Sequence, residues 1–290
     1  VMMGLEFMGD VPFRDVLIHG TILDETGRKM SKSLGNGIDP IEMIERYGAD
    51  AVRFSLIMLT TEGQDVKLSE SKFEMGRHFA NKLWNATRFA LLNLERSAPQ
   101  SEAELPFEDR WILSRLQRAI RSATEEMENF QDHRAAALLY DFFWHDLCDW
   151  HLEIIKPRLP QSATARHAQE TLASVFDAAL RLLHPYMPYI TEELWQHLKA
   201  AAGEVSLNAA AAMDAEALVV APWPAGDPAR RDEGIEQQME LLQQIVRAVR
   251  NLRKEKDLPE RKPVSITLVC PDEATNAVIG AHEDFLRQMA

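Results

Sequence analysis

Apolar residues recur at intervals of three and four along most of the chain and predict long amphipathic helices. Leu116, Ile120, Ala123 and Met127 fall on one face of a helix at this spacing. Four other ranges carry the same kind of stripe: 69–96, 133–156, 163–184 and 232–256. Helices of this length bury their apolar faces against one another, so the pattern predicts a helical bundle and a mainly α fold.

The first part of the chain has a different pattern, in which a strand-like run precedes two short helices. Residues 15–20 form an apolar run that ends in glycine and predict a buried strand. Asp39 followed by Pro40 predicts a helix start, and Gly48 predicts its end. A second helix is predicted over about 49–59. This region therefore reads as the end of an α/β unit.

The last part of the chain combines a helix with a small α/β pattern. Residues 264–269 alternate between apolar and polar positions and predict a half-buried strand, and a helix is predicted from about Asp272. The alanine-rich residues 200–217 are typical of a variable surface insertion. The pattern divides the chain into three units: 1–66, 67–224 and 225–290.

Composition narrows the class of protein. The 290 residues are 46% hydrophobic and 27% charged, which is typical of a folded globular protein. No apolar run reaches the roughly 20 residues that cross a bilayer. The two cysteines, Cys148 and Cys270, are far apart, which disfavours a disulfide framework and favours the reducing cytoplasm. Because the chain begins at Val1 inside an apolar pattern, we expect it to be a piece of a longer protein.

The charge is distributed unevenly, and this matters for nucleic acid. The net charge is -13, but residues 246–262 contain seven basic and three acidic side chains. A polyanion responds to this local field, so Arg250 and Arg253 are candidate RNA contacts. A solvated helix end, with cations placed favourably near its C-terminal dipole, explains the same residues equally well.

The most specific chemical signal is a basic, hydroxyl-rich loop at residues 29–33. Lys29 and Lys32 place two ammonium groups close together, Ser31 and Ser33 add hydroxyls, and glycines follow at 35 and 37. Such a set suits the phosphates of a nucleotide, since lysine is a mobile point charge. A solvated basic turn or a phosphorylation site has a similar composition. The position between a strand-like run and a capped helix favours phosphate binding.

These residues resemble a known family. The loop 29–33, followed by Gly48-Ala49-Asp50-Ala51-Val52-Arg53-Phe54, resembles the second signature of the class I aminoacyl-tRNA synthetases. Further stretches are similar to the valine-specific members in particular: 63–66, 79–89, 142–150 and 184–195. The resemblance covers essentially the whole chain.

The resemblance implies a reaction and roles for the loop. Valine and ATP, with Mg²⁺, would give an aminoacyl adenylate, and the valyl group would pass to tRNA(Val). Lys29 and Lys32 would be catalytic, because they would clamp the ATP phosphates while pyrophosphate departs. Ser31 and Ser33 would donate hydrogen bonds to the same phosphates, and Met30 would anchor the loop against an apolar wall.

The resemblance also implies what lies elsewhere. The first signature, the valine pocket and the editing domain would precede Val1, and a coiled coil would follow Ala290, so the isolated chain should be inactive. The complete protein would be a cytoplasmic monomer, and unit 67–224 would bind the anticodon. An isoleucine-specific member and a stand-alone helical RNA-binding module remain alternatives.

One stripe of the first bundle helix is a candidate for binding tRNA. Lys82, Asn85, Arg88 and Phe89 offer two cations, an amide and an aromatic ring, which suit an unpaired base and its phosphates. Phe89 fits equally well as a core residue beneath a solvated polar face.

A cluster of potential metal ligands has a simpler explanation. His145, Cys148 and His151 are three apart but lie among aromatic residues. We therefore predict packing and no metal site.

Overall fold

A computed structural model of the chain describes residues 1–60, 64–94, 104–159, 164–204, 215–259 and 263–290. Most of the expected surface insertion at 200–217 lies outside the described residues, as do Gly63 of the family-like stretch 63–66 and the basic residues Arg261 and Lys262. Within the described ranges, no helix combines the length and apolar character needed to cross a membrane.

The described part of the chain is mainly α-helical, as the periodicity predicts. Its α-helices are α1 Met2–Met8, α2 Pro40–Tyr47, α3 Ala49–Leu59, α4 Phe73–Leu92, α5 Phe107–Glu128, α6 Asp132–Asp141, α7 Leu152–Ile155, α8 Ala165–Leu183, α9 Pro188–Glu204, α10 Glu233–Glu255, α11 Glu273–Ala281 and α12 Glu283–Met289. A π-helical segment, Phe142–His151, joins α6 to α7. The predicted range 133–156 is thus one helical stretch whose middle has a wider turn.

Two short parallel strands form a small sheet in the described part of the chain. Strand β1, Ile22–Leu23, pairs with β2, Val66–Lys67. The approach is tight just before the pair, because a Cβ at Gly20 would lie 1.9 Å from the Gln64 carbonyl oxygen. Only glycine fits there, so Gly20 fixes where the two segments meet.

Two predicted strands are wrong. Residues 15–20 form no strand, and Ile18 is 78% exposed. Residues 264–269 also form none, and Val269 is 92% exposed. A strand needs a neighbour to satisfy its backbone groups, and no described segment pairs with either run. Strand β1 starts just after Gly20, where residues 66–67 are available for pairing.

The core of the bundle lies between α4, α5, the π-helical segment, α8 and α9. Phe79 of α4 meets Phe143 edge-on, with ring centroids 5.9 Å apart, and Phe143 meets Phe176 of α8 in the same way at 5.8 Å. All three rings are fully buried. Burial of each such side chain contributes roughly 1.5–3 kcal/mol. Trp195 is equally buried and donates its indole N–H to Asp177 Oδ1 at 2.8 Å.

Helix α3 belongs to two apolar clusters at once. Its Phe54 is buried in the bundle core. Its Val52 is buried in a second cluster with Met43, Leu68 and Phe73, which we call the loop cluster. Helix α3 therefore joins the loop cluster to the bundle core, as does α4 through Phe73 and Phe79.

Helix α9 was not predicted from periodicity. Pro185 and Pro188 mark a sharp joint in the sequence, and Pro188 turns out to be the first residue of a 17-residue helix. Proline is favoured at that position because the N–H it lacks would have no partner within the helix.

Candidate functional site

The loop at residues 29–33 leaves the short sheet and is folded by local hydrogen bonds. Lys29 forms an antiparallel bridge with Leu23 of β1. Residues Lys32–Leu34 form a single 3₁₀ turn, and Ser31 Oγ accepts a hydrogen bond from the Leu34 N–H at 3.3 Å. Gly35 ends the turn with φ of 62°, a left-handed conformation that glycine adopts without strain.

A buried carboxylate holds the base of the loop. Asp24 Oδ1 accepts hydrogen bonds from Thr26 Oγ1 at 2.6 Å and from the Arg28 backbone N–H at 2.8 Å. Its Oδ2 accepts one from Asn36 Nδ2 at 2.7 Å. The hydrogen bonds from Thr26, Asn36 and Arg28 hold the pKa of Asp24 well below its usual range. Asp24 therefore stays ionised and ties the two ends of the loop together.

Asn36 completes this frame from the other side. Its Oδ1 accepts the Ser31 N–H at 3.0 Å, and its Nδ2 lies 3.3 Å from the Lys29 carbonyl oxygen. Neither Asp24 nor Asn36 was found by sequence reasoning. The available signals were an aspartate at the start of a glycine-containing turn and an asparagine between two glycines.

The side chains of the two lysines of the loop extend into solvent. Lys29 and Lys32 are exposed, and within the described part of the chain neither ammonium has a carboxylate in ion-pair range. Ser31 Oγ and Ser33 Oγ lie 3.2 Å apart. Met30 is half-buried and packs against the loop cluster. The loop thus offers two uncommitted cations and two hydroxyls on a seated backbone.

A groove of about 760 Å³ lies on the surface of the bundle. Helix α4, α6 and the π-helical segment supply its lining: Met75, His78, Asn81, Lys82, Asn85, Tyr140 and Trp144. The Tyr140 and Trp144 rings are stacked, with centroids 5.3 Å apart and planes at 25°. Lys82 Nζ lies 5.0 Å from the Trp144 centroid and 3.0 Å from Asp149 Oδ1. Aromatic faces, amides and a cation therefore converge here.

The structure brings together only part of the predicted tRNA-binding stripe. Lys82 and Asn85 line the groove, and Arg88 is exposed on the same helix. Phe89 is half-buried, packs against the bundle core and lies 5.7 Å from the Lys156 ammonium. The aromatic rings of the groove are instead Tyr140 and Trp144, which sequence reasoning did not select.

The two basic candidates on α10 contact the chain itself. Arg250 donates through Nε and Nη2 to the Met289 carbonyl oxygen at 3.0 and 2.6 Å. Arg253 Nη2 donates to the Pro259 carbonyl oxygen at 2.7 Å. Neither lines the groove. The positions of both guanidinium groups are set by these structural contacts.

The potential metal ligands are separated by burial. His151 is fully buried and contacts Asp109 Oδ1 at 3.2 Å, while His145 is exposed beside Asp149. Burial raises the pKa of Cys148 to about 12, so its thiol stays protonated. Over the described ranges, no group of three or more His, Cys, Asp or Glu side chains is placed to hold a metal ion.

Two family models match the chain. The model described as the anticodon-binding domain of tRNA ligase matches residues 109–268. The model described as tRNA synthetases class I (I, L, M and V) matches residues 1–69. Together they cover the loop and most of the bundle.

Curated relatives of the chain are valine–tRNA ligases. The chain is 45% identical over 266 residues to that of Thermotoga maritima, covering 92% of this chain and 29% of the relative. It is 41% identical over 293 residues to that of Geobacillus stearothermophilus, covering 99% of this chain and 32% of the relative. The chain thus spans about 30% of the length of the curated relatives it matches.

Solved structures share the fold at lower identity. A methionyl-tRNA synthetase of Mycobacterium tuberculosis, in complex with methionyl-adenylate, superposes with a TM-score of 0.57 at 22% identity, covering 78% of this chain and 46% of that one. A LeuRS of Agrobacterium radiobacter, in a ternary complex with tRNA and LeuAMS, gives 0.53 at 24% identity, covering 74% and 24%. At these identities the likeness concerns the fold alone.

Proposed function

This chain belongs to the class I aminoacyl-tRNA synthetases, and we propose that it is part of a ligase that activates valine with ATP and transfers it to tRNA(Val). Residues 1–66 would supply the loop for the ATP phosphates. Residues 67–224 would form the anticodon-binding bundle. Residues 225–290 would add a basic helix and a small terminal element.

The observation that carries the proposal is the pair of uncommitted ammonium groups on a framed loop. When the valine carboxylate attacks the α-phosphorus of ATP, the bond to pyrophosphate breaks and negative charge grows on the departing oxygens. Lys29 and Lys32 would meet that charge, and no carboxylate of the described chain lies in ion-pair range of either ammonium. Ser31 and Ser33 would donate hydrogen bonds to the same oxygens. The contribution is electrostatic and positional, with no covalent intermediate on the loop.

The loop itself is a poor ligand for Mg²⁺. Its buried carboxylate, Asp24, already accepts hydrogen bonds on both oxygens. Mg²⁺ favours phosphate oxygens and water in nucleotide sites, so we propose that the ion arrives with ATP and is held mainly by its phosphates. No step of the loop's action depends on a metal bound to these residues.

Replacement of Lys32 tests the loop in the full-length enzyme. We expect Lys32→Ala to lower the rate of valine-dependent ATP–pyrophosphate exchange by about 100- to 1,000-fold, because loss of one donor to a developing anion costs roughly 2.7–4 kcal/mol. Valine binding should change little. Lys72→Ala, which removes an exposed lysine outside the loop, is the matched control. Unchanged exchange in Lys32→Ala would refute the assignment.

The groove supports the proposal that the bundle binds an unpaired base. Base stacking on an aromatic face contributes roughly 1–3 kcal/mol, and the groove presents Tyr140 and Trp144. Lys82 and Asn85 can reach base edges or phosphate from the same helix. We propose that Arg88 and Phe89 act at the margin of this surface, and that Arg250 and Arg253 add positive charge on α10.

The choice of amino acid rests on the relatives, which are valine–tRNA ligases by name. Charging assays of the full-length protein with valine and isoleucine separate the proposed specificity from that of an isoleucine enzyme. We also propose that the full-length protein is cytoplasmic and monomeric. Sedimentation analysis of the purified protein tests the oligomeric state.

A further inference from the structure

A buried carboxylate of α3 meets the start of α9. Asp50 is only 7% exposed. Its Oδ1 accepts the Tyr189 N–H at 3.3 Å, and its Oδ2 accepts the Ile190 N–H at 2.6 Å. Both carboxylate oxygens of Asp50 therefore accept hydrogen bonds from the backbone of a helix far away in sequence.

Helix α9 depends on this carboxylate because its own sequence provides no cap. Its first intrahelical bond runs from the Thr191 N–H to the Met187 carbonyl, and the Met187 side chain has no oxygen to offer the first turn. Pro188 has no N–H. The amides of Tyr189 and Ile190 therefore need outside acceptors, and Asp50 supplies both. Its negative charge also suits the positive end of the helix dipole.

A second contact from α3 reaches the residues just before α9. Arg53, one turn along α3, donates from Nη2 to the Pro185 carbonyl oxygen at 3.1 Å. Inside the joint, His184 Nδ1 lies 2.8 Å from Thr191 Oγ1. Two side chains of α3 therefore hold the chain before and after the turn into α9.

The opposite side of α3 supports the loop 29–33, which we call the lysine loop. Val52 belongs to the loop cluster against which Met30 packs. We propose that Asp50 and Arg53 form a latch that fixes the loop 29–33 in one orientation on the bundle. Both are positioning residues, since they act through α3. The consequence for catalysis, that the latch aligns the loop with tRNA held by the bundle, rests on the proposed function.

Amide hydrogen exchange on this chain tests the latch without RNA. We expect Asp50→Ala to speed exchange by about tenfold or more both at Tyr189 and Ile190 and across residues 22–36, because the lost acceptors free both sides of α3. Asp50→Asn, which keeps one acceptor oxygen, should give a smaller increase at both places. Asp141→Ala, which removes an exposed aspartate elsewhere on the bundle, is the control.

Local effects alone would overturn the proposal. If exchange rises at Tyr189 and Ile190 while residues 22–36 are unchanged, Asp50 is a cap and no latch. Arg53→Ala keeps the test decisive if Asp50→Ala fails to fold, because Arg53 is exposed and its loss leaves the cap intact. That variant should still speed exchange across 22–36, and unchanged exchange there would also overturn the latch.

Kinetics of the full-length enzyme test the consequence for catalysis. Arg53→Ala should lower kcat for tRNA charging by a larger factor than it lowers valine-dependent ATP–pyrophosphate exchange, because charging also needs the loop to be aligned with tRNA on the bundle. An equal fall in both rates would indicate a merely structural role. If wild-type enzyme shows no valine-dependent exchange, the proposed function fails, while the amide-exchange result still decides the latch.

Discussion

At the scale of single residues, the lysine loop is shaped by side chains that never meet substrate in the proposed reaction. Asp24 and Asn36 form hydrogen bonds with the backbone and side chains around the loop, so the backbone that carries the two lysines is already ordered. Preorganisation of this kind lowers the entropic cost of placing charges against a transition state.

The ionisation of Asp24 makes the loop sensitive to acid. Its pKa is lowered in the folded chain, so the stability it contributes is present above its unfolded pKa of about 3.9 and is lost as pH falls below that value. We expect Asp24→Asn to melt at a lower temperature than wild type at pH 7, and the gap to narrow toward pH 3. Glu25→Gln, an exposed neighbour, is the control. A gap that stays constant with pH would contradict the ionised role.

Base stacking and core packing are alternative roles for Phe89, and one variant separates them. If it stacks on a base, Phe89→Ala should raise the Michaelis constant for tRNA in the full-length enzyme and spare valine activation, since stacking contributes roughly 1–3 kcal/mol. If it is only core, the change should cost roughly 3–5 kcal/mol of folding stability and leave tRNA kinetics unaltered.

Its half-buried position against the core favours a measurable loss of stability in either case. Melting curves and tRNA kinetics on the same protein therefore decide. Lys82→Ala supplies the comparison, because its ion pair with Asp149 is partly exposed and should contribute little to stability. Normal tRNA kinetics in a destabilised Phe89→Ala would refute the stacking role.

At the scale of elements, α3 and α4 approach so closely that one glycine is required. A Cβ at Gly76 would lie 2.3 Å from the Ala51 carbonyl oxygen and 2.6 Å from Ser55 Oγ. The backbone of α3 cannot yield without disturbing Val52 and Phe54, which face the two apolar clusters. The contact therefore joins the loop cluster to the bundle.

Gly76→Ala should thus be destabilising, although alanine is the better helix former. We expect a loss of about 1–3 kcal/mol from overpacking, measured by denaturant unfolding. Gly280→Ala in α11 is the matched control, since no atom beyond its chain neighbours and its own helix backbone lies within 4 Å of the added Cβ. That change should be neutral or stabilise by up to about 1 kcal/mol. If Gly76→Ala and Gly280→Ala changed the free energy of unfolding equally, the close approach of α3 and α4 would not require glycine.

The long helices other than α9 could be predicted from sequence, whereas the strands and the contacts between distant residues could not. Period and caps locate α2 through Asp39 and Pro40, because these signals act within a few residues. The runs at 15–20 and 264–269 have strand-like patterns but no described partner, and pairing is a property of two segments.

The candidate sites also combine features that local sequence determines with features that depend on tertiary contacts. The chemistry of the lysine loop is visible in the sequence, because the residue types and their spacing are local. The bond from Asp50 to α9 and the stacked rings of Tyr140 and Trp144 depend on which helices become neighbours. Periodicity alone does not specify those neighbours.

At the scale of the whole molecule, a net charge of -13 has to be reconciled with the proposed binding of tRNA. Part of the acidic charge is already neutralised by ion pairs, such as Asp149 with Lys82 and Glu236 with Arg118. Binding of RNA would therefore depend on a few local cations and on aromatic faces. The long-range electrostatic interaction between the chain and RNA would be weakly attractive or repulsive.

This balance predicts that the chain binds tRNA(Val) weakly and loses affinity as the salt concentration rises. The logarithm of the association constant should fall linearly with the logarithm of salt concentration, by about 0.7–0.9 for each phosphate contacted. Arg88→Ala, which removes an exposed cation beside the groove, should lower that slope by about one. Arg287→Ala on α12, whose guanidinium is paired with Glu283, should leave it unchanged. Titrations at several salt concentrations measure both slopes, and a folded chain that fails to bind tRNA even at low salt would contradict an anticodon-binding bundle.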